Sequence, residues 1–249
     1  MIQSVIYDLD DTLYNFVTTN EQALEKMCRE AGRRFDLEPE TFRRVYETSY
    51  PGILNAMPEE ILSLLPEGVG VATMHSRTLR LNYTLTKLGL PILPHAVELY
   101  DSYWENLLAN IKPEAHLPET LRELKKRGIR IGIGTNMTAR MQYRKIMKLG
   151  LCDVVDFIMT SDECLFDKPD PRFFRKTVEK AGCRPEECLF IGDNFRFDYE
   201  GARNAGLQAM WYARPDKPWG EIEEAKLAGA QARGEILKDH AEVLRHVGG

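Results

Sequence analysis

The sequence predicts an α/β protein, a doubly wound parallel sheet with an all-α segment inserted into it. Short apolar runs, rich in β-branched residues, alternate with helical stretches in the second half of the chain. Such alternation is typical of parallel strands that helices cover on both faces. Between residues 15 and 112 the apolar residues instead recur at three- and four-residue spacing, which indicates helices. We therefore predict an α/β core of residues 1–14 and 113–249 and a helical insertion of residues 15–112.

Six short runs are predicted to be the strands of the core. Most of their residues are apolar, and polar or turn-forming residues follow them, as expected for buried parallel strands. The predicted strands are residues 5–7, 129–133, 154–160, 189–191, 207–212 and, at an edge of the sheet, 235–237. Helices are expected between them. A charged, Ala-rich helix without an assigned role is expected over residues 221–233.

The insertion is predicted to contain four main helices. They are expected near residues 20–31, 39–46, 73–88 and 94–111, and Pro51-Gly52 is expected to stop the second. The third carries a basic stripe of Arg77, Arg80 and Lys87 at helical spacing. We expect this stripe to be a solvated face; the alternative is a surface that meets an anionic substrate.

Composition is that of an ordinary globular protein, with 43% hydrophobic and 29% charged residues in 249 positions. The formal charge of −5 disfavours a broad nucleic-acid surface, so no nucleic-acid partner is expected. No apolar run approaches the ~20 residues that span a bilayer, and no basic segment precedes an apolar run at the start. The five cysteines are scattered, as expected for idle thiols in a reducing compartment. We expect a cytoplasmic monomer or small homo-oligomer without a membrane partner.

Four polar segments each lie at or just after a predicted strand. In open α/β sheets the loops beyond the carboxyl ends of the strands converge on one crevice, so we expect these segments to meet there. The segments are Asp8-Leu9-Asp10-Asp11-Thr12, Gly134-Thr135-Asn136, Lys168-Pro169 and Gly192-Asp193-Asn194-Phe195-Arg196-Phe197-Asp198.

The residue types in these segments point to phosphate chemistry with a divalent cation. Of the paired acids Asp8 and Asp10, one carboxylate can attack phosphorus and the other can transfer protons. Two adjacent acids and a phosphate repel each other. A bound Mg²⁺, which prefers carboxylate oxygens as ligands, would reduce this repulsion with its positive charge. Asp193 is the expected further ligand. The hydroxyl of Thr135, with Asn136 beside it, and the ammonium of Lys168 are expected to bind phosphoryl oxygens.

The four segments resemble the four motifs of the haloacid dehalogenase-like superfamily, specifically its phosphatase branch with a helical (C1-type) cap after the first motif. Asp8 to Thr12 is similar to the first motif and Thr135 to the second. Lys168, within Lys168-Pro169-Asp170-Pro171, is similar to the third, and Gly192 through Asp198 to the fourth. The resemblance covers the core from end to end. It implies a Rossmann-like core, a cap of residues 15–112 and Mg²⁺ as cofactor.

The resemblance also implies a role for each acid. Asp8 is the expected nucleophile, which forms an aspartyl-phosphate, and Asp10 the expected general acid and base. The implied metal ligands are Asp8, Asp193 and Asp10, the last through its main-chain carbonyl. Asp198 is expected to be a supporting acid around the metal.

The activity that the resemblance implies is hydrolysis of a small soluble phosphate ester. The opening segment from Asp8 to Tyr14 is similar to nucleotidase-type members. Two alternatives stay open. One is a phosphotransferase or sugar-phosphate mutase, which would return the phosphoryl group to a substrate; the other is a non-catalytic binding protein of the same fold.

Overall fold

A computed structural model gives the structure of the chain, and it describes residues 1–55, 77–214, 222 and 224–247. The strands are β1 Ser4–Tyr7, β2 Arg130–Thr135, β3 Phe157–Thr160, β4 Cys188–Gly192, β5 Gln208–Tyr212 and β6 Ile236–Leu237. They form one sheet in the order β3-β2-β1-β4-β5-β6, and every neighbouring pair is parallel. The predicted α/β fold with a doubly wound parallel sheet is confirmed.

Helices follow most of the strands and run through the described parts of the insertion. In chain order they are α1 Phe16–Phe35, α2 Pro39–Asn55, α3 Arg77–Lys87, α4 His95–Asn110, α5 Leu117–Lys126, α6 Ala139–Lys148, α7 Ser161–Cys164, α8 Pro171–Ala181, α9 Gly201–Asn204, α10 Glu224–Ala232 and α11 Val243–His246. The chain divides into two compact units. One comprises Met1–Asn15 with Lys112–Gly249, and the other comprises Phe16–Ile111.

The central strand β1 determines where the first acids lie. It runs between β2 and β4, and all four of its residues are fully buried. Tyr7, its last residue, is in register with Ile133 of β2 and Ile191 of β4. Asp8 therefore emerges level with the carboxyl ends of both neighbouring strands, at the edge where parallel sheets of this kind bind ligands.

Glycines in the central strands allow aromatic rings to pack on the sheet. Phe190 of β4 contacts Phe174 of α8 edge-on, with 5.2 Å between ring centroids. A β-carbon at Gly134 would lie 2.8 Å from the ring of Phe190, closer than van der Waals contact. Gly134 thus permits the dense packing behind the edge that carries Asp8.

The strand predicted over residues 154–160 begins later than expected. The N–H groups of Val154 and Val155 donate to the carbonyl oxygen of Leu151, so these residues form a turn after α6. Strand β3 begins only at Phe157. The prediction was wrong here because local hydrogen bonds satisfy the backbone of two β-branched residues.

The helical insertion differs from expectation in two places. Helix α2 continues to Asn55 and is not stopped by Pro51-Gly52; the proline ring fixes φ near the helical value, although it removes one backbone hydrogen bond. The basic stripe is not a plain solvated face. Arg77 donates to the hydroxyl of Tyr46 at 2.9 Å, and its guanidinium lies 3.9 Å from the centroid of the Tyr103 ring. The first four residues of the predicted 73–88 helix lie outside the described residues.

Three further features concern the rest of the chain. Helix α10 occupies most of the predicted 221–233 helix, and of its residues only Ala230 is buried. In the described parts of the chain, every helix is too short or too polar to cross a membrane. The cysteines are free thiols.

Candidate active site

The first and fourth polar segments are joined through backbone and hydroxyl groups. The N–H of Asp8 donates to the carbonyl oxygen of Ile191 at 2.8 Å. Asp11 has a φ of 60°, a left-handed turn that redirects the chain after the strand. The hydroxyl of Thr12 then accepts from the N–H of Asp193 at 3.0 Å. The loop after β1 and the loop after β4 are thereby held side by side.

Lys168 brings the third segment into the same place. Its Nζ atom lies 2.6 Å from Oδ1 of Asp8 and 2.7 Å from Oδ1 of Asp198, and it donates to the carbonyl oxygen of Gly134 at 3.1 Å. Only 4% of its side chain is exposed. Burial alone would lower the pKa of Lys168, but the Asp198 and Asp8 carboxylates outweigh burial and raise that pKa.

Asp8 is correspondingly a carboxyl of unusual basicity. Its burial raises the pKa to about 7, against the opposing effect of the Lys168 ammonium, and the neighbouring Asp198 charge adds to the increase. Burial likewise raises the pKa of Asp198. A divalent cation bound beside these oxygens would favour the ionised carboxylates and offset the cost of burying them.

The side chain of Asp10 lies in a separate set of contacts. Its two oxygens are 2.7 and 2.8 Å from Nζ of Lys145, and the hydroxyl of Tyr14 donates to Oδ1 at 2.5 Å. Nε2 of Gln142 donates to Oδ2 at 3.2 Å. Burial alone would raise the pKa of Asp10, but the Lys145 ammonium and the two further donors hold it below its ordinary value. About a quarter of the side chain, 24%, stays exposed.

Sequence reasoning did not find Lys145, Gln142 or Tyr14. A signal for Lys145 was present, because Met141, Lys145 and Leu149 recur every four residues, which places the lysine on the buried face of α6. A lysine at such a position is rarely buried without a partner. Its spacing therefore indicated a buried carboxylate opposite, although it did not say which one.

The two residues of the second segment have different surroundings. Thr135 is buried, and its hydroxyl accepts from Nε2 of Gln142 at 2.7 Å. The side chain of Asn136 holds the main chain of Lys168, accepting from its N–H at 2.8 Å and donating to its carbonyl oxygen at 3.3 Å. Asn136 thus positions Lys168, a contact that the sequence did not predict.

Asp8, Asp193 and Asp198 form an acidic cluster. Each offers a carboxylate oxygen, and the three oxygens lie within 4.8 Å of one another. The donor set fits a hard cation such as Mg²⁺, which prefers oxygen ligands. The side chains of the predicted ligands Asp8 and Asp193 both belong to this cluster. The side chain of Asp10 does not, because it pairs with Lys145. Asp198, predicted only as a supporting acid, is part of the cluster itself.

Asp198 reaches the cluster because of the turn that carries it. Residues Phe195–Glu200 form a π-helical turn, and the N–H of Asn194 donates to Oδ2 of Asp198 at 2.9 Å. A β-carbon at Gly192 would lie 2.3 Å from the Asp198 carboxyl group. Only glycine at position 192 allows this close approach. The ring of Phe195 anchors the turn edge-on against Trp211, with 5.3 Å between centroids.

The chain matches a known family over most of its length. The sequence pattern of the family described as haloacid dehalogenase-like hydrolase matches residues 5–212. A crystal structure of a HAD phosphatase from Thermococcus onnurineus superposes with a TM-score of 0.66, covers 100% of this chain and 99% of its own, and is 21% identical. The chain belongs to the haloacid dehalogenase-like hydrolase family.

Two relatives of the chain are phosphatases. A ribulose-1,5-bisphosphate 5-phosphatase from Halopiger xanaduensis is 30% identical over 85% of each chain. A glyceraldehyde 3-phosphate phosphatase from Methanothermobacter thermautotrophicus is 29% identical over 84% of this chain and 85% of its own. The predicted enzyme class, a phosphatase of the HAD-like family, is confirmed.

Proposed function

We propose that the protein is a Mg²⁺-dependent phosphomonoesterase that hydrolyses a small soluble phosphate ester through a phosphorylated Asp8. The observation that carries this proposal is the contact of Lys168 with Asp8 at the carboxyl edge of the sheet, beside the cluster with Asp193 and Asp198. A carboxylate nucleophile, a fixed ammonium and a cation site are the groups that phosphoryl transfer requires.

The first half of the reaction uses the nucleophile and the acid. A carboxylate oxygen of Asp8 attacks phosphorus, and the bond from phosphorus to the ester oxygen breaks. Asp10, two residues further along the loop, takes up a proton from solvent, because Lys145 keeps its pKa below the ordinary value, and passes that proton to the departing oxygen. Lys168 and the hydroxyl of Thr135 hold the charge on the phosphoryl oxygens during transfer.

The second half regenerates the enzyme. Asp10, now ionised, takes a proton from a water molecule that attacks the phosphorus of phospho-Asp8. The phosphorus–Asp8 bond breaks, and inorganic phosphate leaves. Mg²⁺, held by Asp8, Asp193 and Asp198 with the Asp10 carbonyl as a further candidate ligand, would supply positive charge that neutralises the phosphate and the acids.

The relatives support a proposal for the substrate class. Their names specify phosphatases of ribulose-1,5-bisphosphate and of glyceraldehyde 3-phosphate, both small phosphorylated sugars. We propose the same class for this chain and keep nucleotides as candidates because of the opening segment. The cap of residues 15–112 would then select among them, as caps do by excluding water and contacting the substrate.

The test is phosphate release from a panel of sugar phosphates, nucleotides and simple alkyl phosphates, with Mg²⁺ and with EDTA. Release that needs Mg²⁺ and is stoichiometric with ester loss supports the proposal; transfer of the phosphoryl group to a second substrate would favour a phosphotransferase. Asp8→Asn should abolish release while leaving the protein folded. Full activity in that variant would remove Asp8 as the nucleophile.

A further inference from the structure

We infer that Lys145 is a positioning residue for the general acid and base Asp10, and that Gln142 connects Asp10 to the phosphate-binding Thr135. This inference rests on the proposed function. Neither residue belongs to a recognised polar segment of the sequence. Both lie on α6, three residues apart and therefore on the same side of the helix.

Lys145 is placed directly against the carboxylate of Asp10. Its side chain is fully buried, and Nζ is within 2.8 Å of both carboxylate oxygens. Burying an ammonium and a carboxylate is costly, and an apolar pair of similar volume usually stabilises a fold better. Stability alone therefore gives no reason for this pair, whereas control of the Asp10 carboxylate does.

Tyr14 and Gln142 complete the contacts around that carboxylate. The Tyr14 hydroxyl donates to Oδ1 at 2.5 Å and Nε2 of Gln142 donates to Oδ2 at 3.2 Å. With Lys145 on both oxygens, the orientation of the carboxylate plane is determined from several directions. Proton transfer depends steeply on the alignment of acid and acceptor.

Gln142 also ties the acid to the phosphate-binding hydroxyl. Its Nε2 atom lies 2.7 Å from Oγ1 of Thr135 as well as 3.2 Å from Oδ2 of Asp10. One amide group thus spans the residue that transfers protons and a residue that binds the phosphoryl group. Gln142 therefore couples the position of the Asp10 carboxylate to that of the Thr135 hydroxyl.

The experiment compares leaving groups in Lys145→Met and Lys148→Met. Lys148 lies on the same helix and is exposed, so its substitution is the matched control. kcat/KM is measured for the best alkyl phosphate of the panel and for 4-nitrophenyl phosphate, whose leaving group needs no proton. If Lys145 acts through Asp10, Lys145→Met loses on the order of 10²-fold with the alkyl ester and less than about tenfold with the aryl ester. An equal loss with both esters would overturn the inference.

If Lys145→Met does not fold, a double-mutant cycle can still test whether Lys145 acts through Asp10. Asp10→Asn is compared with Asp10→Asn/Lys145→Met, in which both members of the ion pair have lost their charge. Because Lys145 acts only through Asp10, the second substitution should change kcat/KM by less than about threefold in that background. A further loss of tenfold or more would show an independent role and refute the inference.

The two proposals fail in different ways. If Asp8→Asn keeps its activity, the proposed function falls and the question about Lys145 with it. If Asp8→Asn is inactive while Lys145→Met behaves like Lys148→Met with both esters, the phosphatase proposal stands and only the positioning role is refuted.

Discussion

The Nζ atom of Lys168 lies 2.6 Å from Oδ1 of Asp8, although 160 positions separate the two residues in the chain. The same ammonium contacts Asp198 at 2.7 Å. Lys168 belongs to the third polar segment and, since it also binds the carbonyl oxygen of Gly134, it links all four segments. This ammonium is the positive charge that faces both Asp8 and Asp198.

Lys168→Met is expected to abolish most activity. The phosphoryl oxygens would lose their fixed ammonium, which should lower kcat/KM on the order of 10²–10³-fold. Two buried carboxylates would also lose their partner, at a cost of about 3–5 kcal/mol in the free energy of unfolding. Phosphate release and urea unfolding measure the two effects. Lys176→Met, at an exposed position of α8, is the control; equal activity in both variants would contradict the role of Lys168.

Mg²⁺ should stabilise the wild-type protein against heat. A ligand that binds only the folded state adds about 2.7 kcal/mol when its concentration is 100 times Kd. Asp193→Asn removes one charge from the acidic cluster and should weaken Mg²⁺ binding at least about tenfold. Thermal unfolding over a MgCl₂ series gives both affinities. Asp153→Asn, at an exposed turn, should respond like the wild type, and an unchanged Asp193→Asn curve would exclude Asp193 as a ligand.

Gly192→Ala should disrupt the cluster by sterics alone. The added β-carbon would lie 2.3 Å from the Asp198 carboxyl, so Asp198 must move away from Lys168 or the strand must shift. Overpacking of this kind costs about 1–3 kcal/mol, and activity should fall with it. Gly229→Ala is the matched control, because a β-carbon there first meets the flexible end of Arg233 at 3.3 Å. Calorimetry measures the stability of both variants, and phosphate release measures their activity. A fully active Gly192→Ala would contradict the role of the close contact between Gly192 and Asp198.

His240 should make stability fall in mild acid. It is fully buried, stacks on Tyr212 with 4.4 Å between centroids, and hydrogen-bonds the carbonyl of Thr12 at 3.0 Å. Burial lowers its pKa from 6.5 to about 4. The unfolded chain therefore binds this proton more tightly, so the contribution is complete above pH 6.5 and is lost as the pH falls toward 4.

The expected loss is about 3 kcal/mol over that interval. Urea unfolding of the wild type and of His240→Gln at several pH values would isolate it, since the variant lacks the titrating ring. His246→Gln, at an exposed position, should keep the wild-type pH profile. Parallel profiles for the wild type and His240→Gln would refute the assignment.

Much of this arrangement was predictable from the sequence because it is local. A buried strand followed at once by Asp8 can be recognised without tertiary information. The same holds for the expectation that polar segments after parallel strands meet at one edge of the sheet. The contacts of Asp10 were not predictable in the same way. Lys145 follows it by 135 positions, and only the packing of α6 against the sheet determines which carboxylate its ammonium meets. The part played by Asp198 depends equally on a π-helical turn, which no spacing rule signals.

The chain leaves the core for its long insertion and returns at neighbouring points. The N–H of Glu114 donates to the carbonyl oxygen of Leu13 at 2.8 Å, so the core residues on either side of the insertion are already hydrogen-bonded to each other. Closing such a gap with a few residues costs little chain entropy. The loop that carries Asp8 is therefore closed without the insertion. We expect that residues 16–111 can be exchanged as a unit in evolution, so that substrate preference changes while the proposed chemical machinery stays the same.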